Sequence, residues 1–164
     1  MSKIKLSILL LISTFFIFSC TTDRTYNFNQ KYTVAYIGGG LDGLLLNNYL
    51  INSLNNLNIY DQESKYEIRA SIGHSTNLFI TNIDNTSDRE KITTNLSIGV
   101  INLLSNCNIY YEKIKISQFY IYASSDKFLS NQKAVKKIKK ENTEATVKQF
   151  INDLMYVDDK CNEK

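Results

Sequence analysis

Between Ile92 and Leu104 the chain alternates with a period of two. Ile92, Thr94, Leu96, Ile98, Val100 and Leu104 fall on one side, and Thr93, Asn95, Ser97 and Gly99 on the other. An extended strand with one face on a core and one in water accommodates that pattern, whereas a helix would scatter the apolar residues around its axis. A strand of this length needs neighbours, because a lone ribbon is at best marginally stable in water. The same alternation appears at Tyr66, Ile68, Ala70 and Ile72 against Glu67, Arg69, Ser71 and Gly73, with Leu78 and Ile80 extending it past a bulge near Gly73. It appears again from Asn108 to Tyr122, where Tyr110, Ile114 and Ile116 oppose Tyr111, Lys113 and Lys115. Asp84 to Asp88 and Ser105-Asn106 supply the reversals between these strands.

Two helical stretches flank the strands. After a strand-like Lys31 to Ile37 ended by Gly38-Gly39-Gly40, Leu46, Leu50, Leu54 and Leu57 recur at helical spacing from a start near Asp42. Ser130 to Val157 is helical in composition; its lysine-rich first half is expected to be solvated, while Val147, Phe150, Ile151 and Leu154 dock its second half. The order β-α-β-β-β-α predicts an α+β two-layer domain, with two helices on one face of a four-stranded, mostly antiparallel sheet. The domain is placed at residues 31–157, between a tether at 20–30 and a polar tail at 158–164; its length suits one core.

The start of the chain reads as an export signal. Lys3 and Lys5 precede an apolar run from Leu6 to Phe18 of about 13 residues, shorter than the roughly 20 needed to span a bilayer. The run closes on Ile17-Phe18-Ser19-Cys20, which resembles the lipobox of bacterial lipoproteins. The resemblance implies that residues 1–19 are removed, that Cys20 is acylated, and that the acyl chains hold the protein to a membrane. Thr21 stands where Asp would signal retention in the inner membrane, which implies the periplasmic face of the outer membrane.

Without Lys3 and Lys5 the net charge drops from +3 to +1, so bulk charge selects no partner. Its distribution is uneven: residues 91–140 sum to +7, with −3 on either side. Such a segment is either a surface for an anionic ligand or membrane or a solvated helix face. Of the three cysteines, Cys107 and Cys161 remain once Cys20 is assigned; in an oxidising compartment they either pair or stay free.

Motifs for covalent chemistry are weak. Gly38, Gly40 and Gly43 spell G-x-G-x-x-G between a strand and a helix, but Asp61 and Glu63 precede the second strand instead of ending it. The glycines are read as a turn and the start of a helix. His74, the sole histidine, is expected to face solvent, with no Ser-His-Asp or Cys-His set around it and no metal-ligand spacing. No enzyme activity, cofactor or metal is therefore expected. Tyr110, Tyr111, Lys113, Lys115, Phe119 and Tyr120 interleave aromatic and basic side chains as nucleic-acid readers do, yet one packed and one wet face explains them, and no nucleic-acid partner is expected.

The ensemble resembles the lipopolysaccharide-assembly lipoprotein family, LptE. The residues that carry the likeness are the lipobox Cys20, the alternating Lys91 to Leu104, the hairpin into Ile109-Tyr110-Tyr111-Glu112, Ser117-Gln118-Phe119-Tyr120, and Phe128, Ala134, Ile138, Val147, Phe150 and Leu154 in the last helix. The resemblance implies a non-enzymatic lipoprotein that plugs and helps assemble the outer-membrane barrel LptD and assists insertion of lipopolysaccharide. Arg89, Lys91, Lys113 and Lys115 are the candidate contacts for its phosphates and carboxylates, on the expectation that the hairpin brings the two pairs within reach of each other. The alternative is a periplasmic accessory lipoprotein that regulates a peptidoglycan synthase or an inner-membrane ABC transporter.

Overall fold

The computed structural model describes residues 30–80, 87–121 and 127–157. The elements are β1 (Thr33–Val34), α1 (Gly40–Asn56), β2 (Tyr66–Ile80), β3 (Ser87–Asn102), β4 (Cys107–Ile121) and α2 (Phe128–Leu154). The four strands form one sheet in the order β1-β2-β3-β4, with β1 parallel to β2 and the other pairs antiparallel. This is the expected α+β architecture in the expected order.

The period of two decides which side the helices cover. Ile68, Ala70 and Ile72 of β2 stand opposite Val100, Ile98 and Leu96 of β3, and Leu96 stands opposite Ile114 of β4. This face meets Leu46, Leu50 and Leu54 of α1 and Val147, Phe150, Ile151 and Leu154 of α2 in one apolar cluster. The three leucines and Phe150 are fully buried; each side chain of this kind contributes roughly 1.5–3 kcal/mol by leaving water. The Tyr110 and Phe150 rings, 5.8 Å apart and inclined at 52°, join β4 to the end of α2.

The first strand is shorter than the predicted Lys31 to Ile37. Tyr32 bridges Tyr60, Thr33 and Val34 pair with Glu67 and Ile68, and the Ala35 amide donates to the Ile68 carbonyl before the chain leaves the sheet. It must cross to the helical layer, and glycines make the crossing. Gly39 and Gly40 take φ of 108° and 62°, and a Cβ on Gly43 would lie 2.2 Å from the Gly38 carbonyl oxygen. The G-x-G-x-x-G string thus serves a turn and a tightly seated helix start.

Four details differ from the sequence reading. No bulge occurs near Gly73, which pairs in register with Asn95; the ladder shifts at Phe79/Ile80 instead. Ser87 and Asp88, expected in the turn, belong to β3. Leu104, expected on the core face, is 81% exposed, because the reversal spans Leu103 to Asn106. There the Asn102 side-chain oxygen accepts from the Leu104 amide at 3.0 Å, and Asn106 adopts φ of 50°. The first half of α2 is not wholly solvated: Asn131 and Ile138 are buried, and Asn142 at the helix centre donates from Nδ2 to the Ile92 carbonyl at 3.5 Å. The proposed leader and tail, and the tether apart from Gln30, lie outside the described residues.

Candidate functional site

The expected basic cluster is divided by the register. Arg89, Lys91, Lys113 and Lys115 all project from the sheet face that carries no helix, but Lys91 pairs with Phe119 and Arg89 with Ile121, whereas Lys113 and Lys115 pair with Ser97 and Asn95. Four strand residues separate Lys91 from Asn95, about 14 Å at the rise of an antiparallel strand. The two pairs therefore do not meet. Lys91 instead places its ammonium over the Phe119 ring, 5.6 Å from the centroid. Near the middle of the same face, Thr93 and Ser117 share a hydrogen bond of 2.9 Å.

His74 is not solvent-facing. Because β2 continues without a bulge, residues 66 to 76 of even number stay on the helical side, and the His74 side chain is only 2% exposed. Its Nδ1 shares a 2.8 Å hydrogen bond with Thr94 Oγ1, and its Nε2 lies 3.8 Å from Asp42 Oδ1 in the first turn of α1. Burial holds the imidazole below its ordinary range; Asp42 pulls it up and Lys139 pushes it down.

Asp42 also borders a groove of about 840 Å³ between the N-terminal turns of the helices and the end of β4. Leu41, Leu44 and Leu45 of α1, Tyr120, and Phe128 and Val135 of α2 give it apolar walls, and Lys136, Lys139 and Lys140 follow one side. The helices run parallel here: Asp42 and Lys139 both act on His74, and one turn or two further along Tyr49 donates to Glu144. With those levels matched, α2 starts about two turns before α1. The groove lies under that overhang, so neither helix nor the sheet closes it. At the same end, the Tyr120 hydroxyl donates to the Glu90 carboxylate, whose pKa burial raises.

Sequence reasoning missed this groove. Leu41, Leu44 and Leu45 were a legible signal, since they fall outside the Leu46-Leu50-Leu54 stripe that fills the core. Among the described residues no group of three His, Cys, Asp or Glu is placed to hold a metal, and no helix is long and apolar enough to cross a membrane. Cys107, at the start of β4, is disulfide-bonded, and Ser105 Oγ lies 3.2 Å from its sulfur. Cys20 and Cys161 lie outside the described residues.

No family model matches the chain, and no curated protein does. Solved structures do. A lipoprotein B from Nitrosomonas europaea superposes with a TM-score of 0.63 at 8% identity, over 81% of this chain and 86% of its own. The rare lipoprotein B of Shewanella oneidensis gives 0.61 at 10% identity, over 74% and 92%. A minor lipoprotein of Acinetobacter baumannii gives 0.58 at 9% identity, over 79% and 92%. The likeness is one of fold, a helical pair on one four-stranded sheet, and all three of these proteins are bacterial lipoproteins.

Proposed function

We propose that this chain is a non-enzymatic, lipid-anchored protein on the periplasmic face of the outer membrane that plugs an LptD-like β-barrel, helps it assemble, and assists delivery of lipopolysaccharide. The observation that carries the reading is the coincidence of two independent features. One is a lipobox-like Ile17-Phe18-Ser19-Cys20. The other is a fold shared, over most of both chains, with bacterial lipoproteins that include a rare lipoprotein B. The helix-free face of the sheet supports it further: it carries Arg89, Lys91, Lys113 and Lys115 beside small polar residues, a surface able to meet phosphate or carboxylate groups by charge-assisted hydrogen bonds.

Two measurements test the reading. Metabolic labelling with a fatty-acid probe should mark the wild-type chain and leave Cys20→Ser unmarked. A mild-detergent pull-down of the labelled protein should bring down a heat-modifiable β-barrel. Recovery of a peptidoglycan synthase or an ABC transporter in its place would overturn the barrel reading and favour a regulatory lipoprotein.

A further inference from the structure

From the groove between α1 and α2 we infer a binding site for a single-chain anionic lipid, one acyl chain bearing a phosphate head group, as in a lysophospholipid. Its volume of about 840 Å³ falls within the 300–1,000 Å³ of small-molecule sites, enough for one such molecule. The walls explain the acyl chain. Leu41 and Leu44 are 83% and 55% exposed, and Phe128 at the opposite wall is 59% exposed. Large apolar groups gathered on a concave surface gain roughly 25 cal/mol for each Å² that an apolar chain removes from water.

The charges explain the head group. Lys136, Lys139 and Lys140 succeed one another along the α2 wall at spacings of three and four residues, which places them on one side of the helix. None has a carboxylate within 4 Å among the described residues, in contrast to Lys137 and Lys148 on the same helix, which pair with Glu141 and Glu144. Among the described residues that line the groove the only carboxylate, Asp42, is turned to His74. The first turns of both parallel helices open at this end, so their N-terminal partial charges add to the positive field. Behind Asp42, and not itself in the groove wall, His74 Nε2 is buried 3.8 Å from the Asp42 carboxylate without a hydrogen bond. Lys140 also acts on Glu144 one turn along, but a neutral peptide or sugar would still leave Lys136 and Lys139 without an anion; an anionic amphiphile matches both the walls and the rim.

The site stands independently of the barrel reading, since it involves the helical face and none of the lysines on the open sheet face. The test uses the full chain carrying Cys20→Ser, titrated with dodecyl phosphate, with dodecyl maltoside and inorganic phosphate as controls. The imidazole signal of His74, the only histidine, reports local occupancy by NMR, and calorimetry gives affinity. Dodecyl phosphate is expected to bind at one site and shift the His74 signal, and the two controls to bind at least tenfold more weakly. Lys136→Glu with Lys140→Glu should weaken binding by tenfold or more while far-UV circular dichroism and Tm stay unchanged; Leu44→Asp, also exposed, should do the same through the apolar wall. Equal binding of dodecyl maltoside, an unmoved His74 signal, or undiminished affinity in the folded lysine variant overturns the inference. So does binding of purified lipopolysaccharide without binding of dodecyl phosphate, an outcome that leaves the barrel reading intact.

Discussion

His74 and Thr94 are direct partners on the helical side of the β2–β3 ladder, with Nδ1 and Oγ1 2.8 Å apart. Thr94 is fully buried, so its hydroxyl needs this partner. A hydroxyl that donates to Nδ1 leaves the ring proton on Nε2, the nitrogen turned toward Asp42. The chain's one histidine thereby ties the first turn of α1 to the centre of the sheet.

That arrangement predicts an acid-sensitive fold. The folded-state pKa of His74 lies below its ordinary 6.5, first because of burial and also through Lys139, with Asp42 opposing. As pH falls below 6.5 the unfolded chain takes up the proton before the folded one does. The stability held above pH 6.5 is therefore lost as pH drops through the folded pKa. Asp42→Asn removes the opposing anion, so the NMR titration midpoint of His74 should fall further and the acid loss of stability should deepen. A midpoint that rises in Asp42→Asn would show that the pairing is misassigned.

Gly43 seats the helix start. A methyl group there would lie 2.2 Å from the Gly38 carbonyl oxygen and 3.0 Å from that of Ile37, both backbone atoms. Gly43→Ala must displace the 37–40 turn, and a loss of about 1–3 kcal/mol in urea denaturation is expected. Gly38→Ala is the control, since a Cβ at Gly38 meets nothing within 4 Å; it should change stability far less.

At the opposite end of the sheet, Asp153 of α2 packs near Glu112 and Tyr110 of β4. The Tyr110 hydroxyl donates to the Glu112 carboxylate, and burial together with Glu112 raises the pKa of Asp153. A carboxyl raised above its ordinary 3.8 favours folding below that pH and loses this contribution as pH rises through the folded value. At neutral pH the charged Asp153 therefore opposes folding. Asp153→Asn should raise Tm at pH 7 by a margin worth under about 1 kcal/mol, and the gain should vanish near pH 3.5. A gain that persists in acid would point to packing instead of charge.

Much of the fold is legible because burial on one face imposes alternation, and β2, β3 and β4 carry it plainly in Ile68, Leu96 and Ile114. Their pairing partners are less legible. A bulge at Gly73 and a continuous strand read alike until the ladder is seen, yet they send His74 to opposite faces. The separation of Lys91 from Lys115 follows from hairpin symmetry: with Asn102 paired to Cys107, Lys91 must stand near residue 119. The groove was hidden for a different reason. It depends on the axial offset between α1 and α2, helices joined only through three intervening strands, and no local pattern encodes an offset. Asn142 shows the same limit, as a polar residue in a lysine-rich helix that sits fully buried against β3.

The disulfide at Cys107 offers a covalent test of the lipoprotein reading. If Cys20 carries a thioether its sulfur cannot pair, and Cys161 is then the expected partner within the chain. Non-reducing peptide mapping should recover Cys107 linked to Cys161. Cys107→Ala should then cost about 4 kcal/mol in the chain-entropy account of a loop this long. A Cys107–Cys20 peptide would remove the lipid anchor from the account.

The basic side chains of the open face make the last prediction, and the register sharpens it. Lys91 stands opposite Phe119, while Lys113 and Lys115 stand opposite Ser97 and Asn95. Lys113 and Lys115 are exposed, and such substitutions shift stability by under about 0.5 kcal/mol each. Half-buried Lys91 also gives up its contact with the Phe119 ring, worth roughly 0.5–1 kcal/mol. Lys91→Glu, Lys113→Glu and Lys115→Glu should still leave a folded triple variant, with lowered affinity for lipopolysaccharide. If the four cations formed one cluster, the single variants would be strongly coupled. Separated by about 14 Å, Lys91→Glu and the Lys113→Glu/Lys115→Glu pair should instead add, within about 0.5 kcal/mol, in a double-mutant cycle of binding free energies. Strong coupling would mean that the ligand bridges both positions at once. Unchanged affinity in the folded triple variant would remove this face from lipopolysaccharide recognition and leave the groove between the helices as the site at which the protein meets lipid.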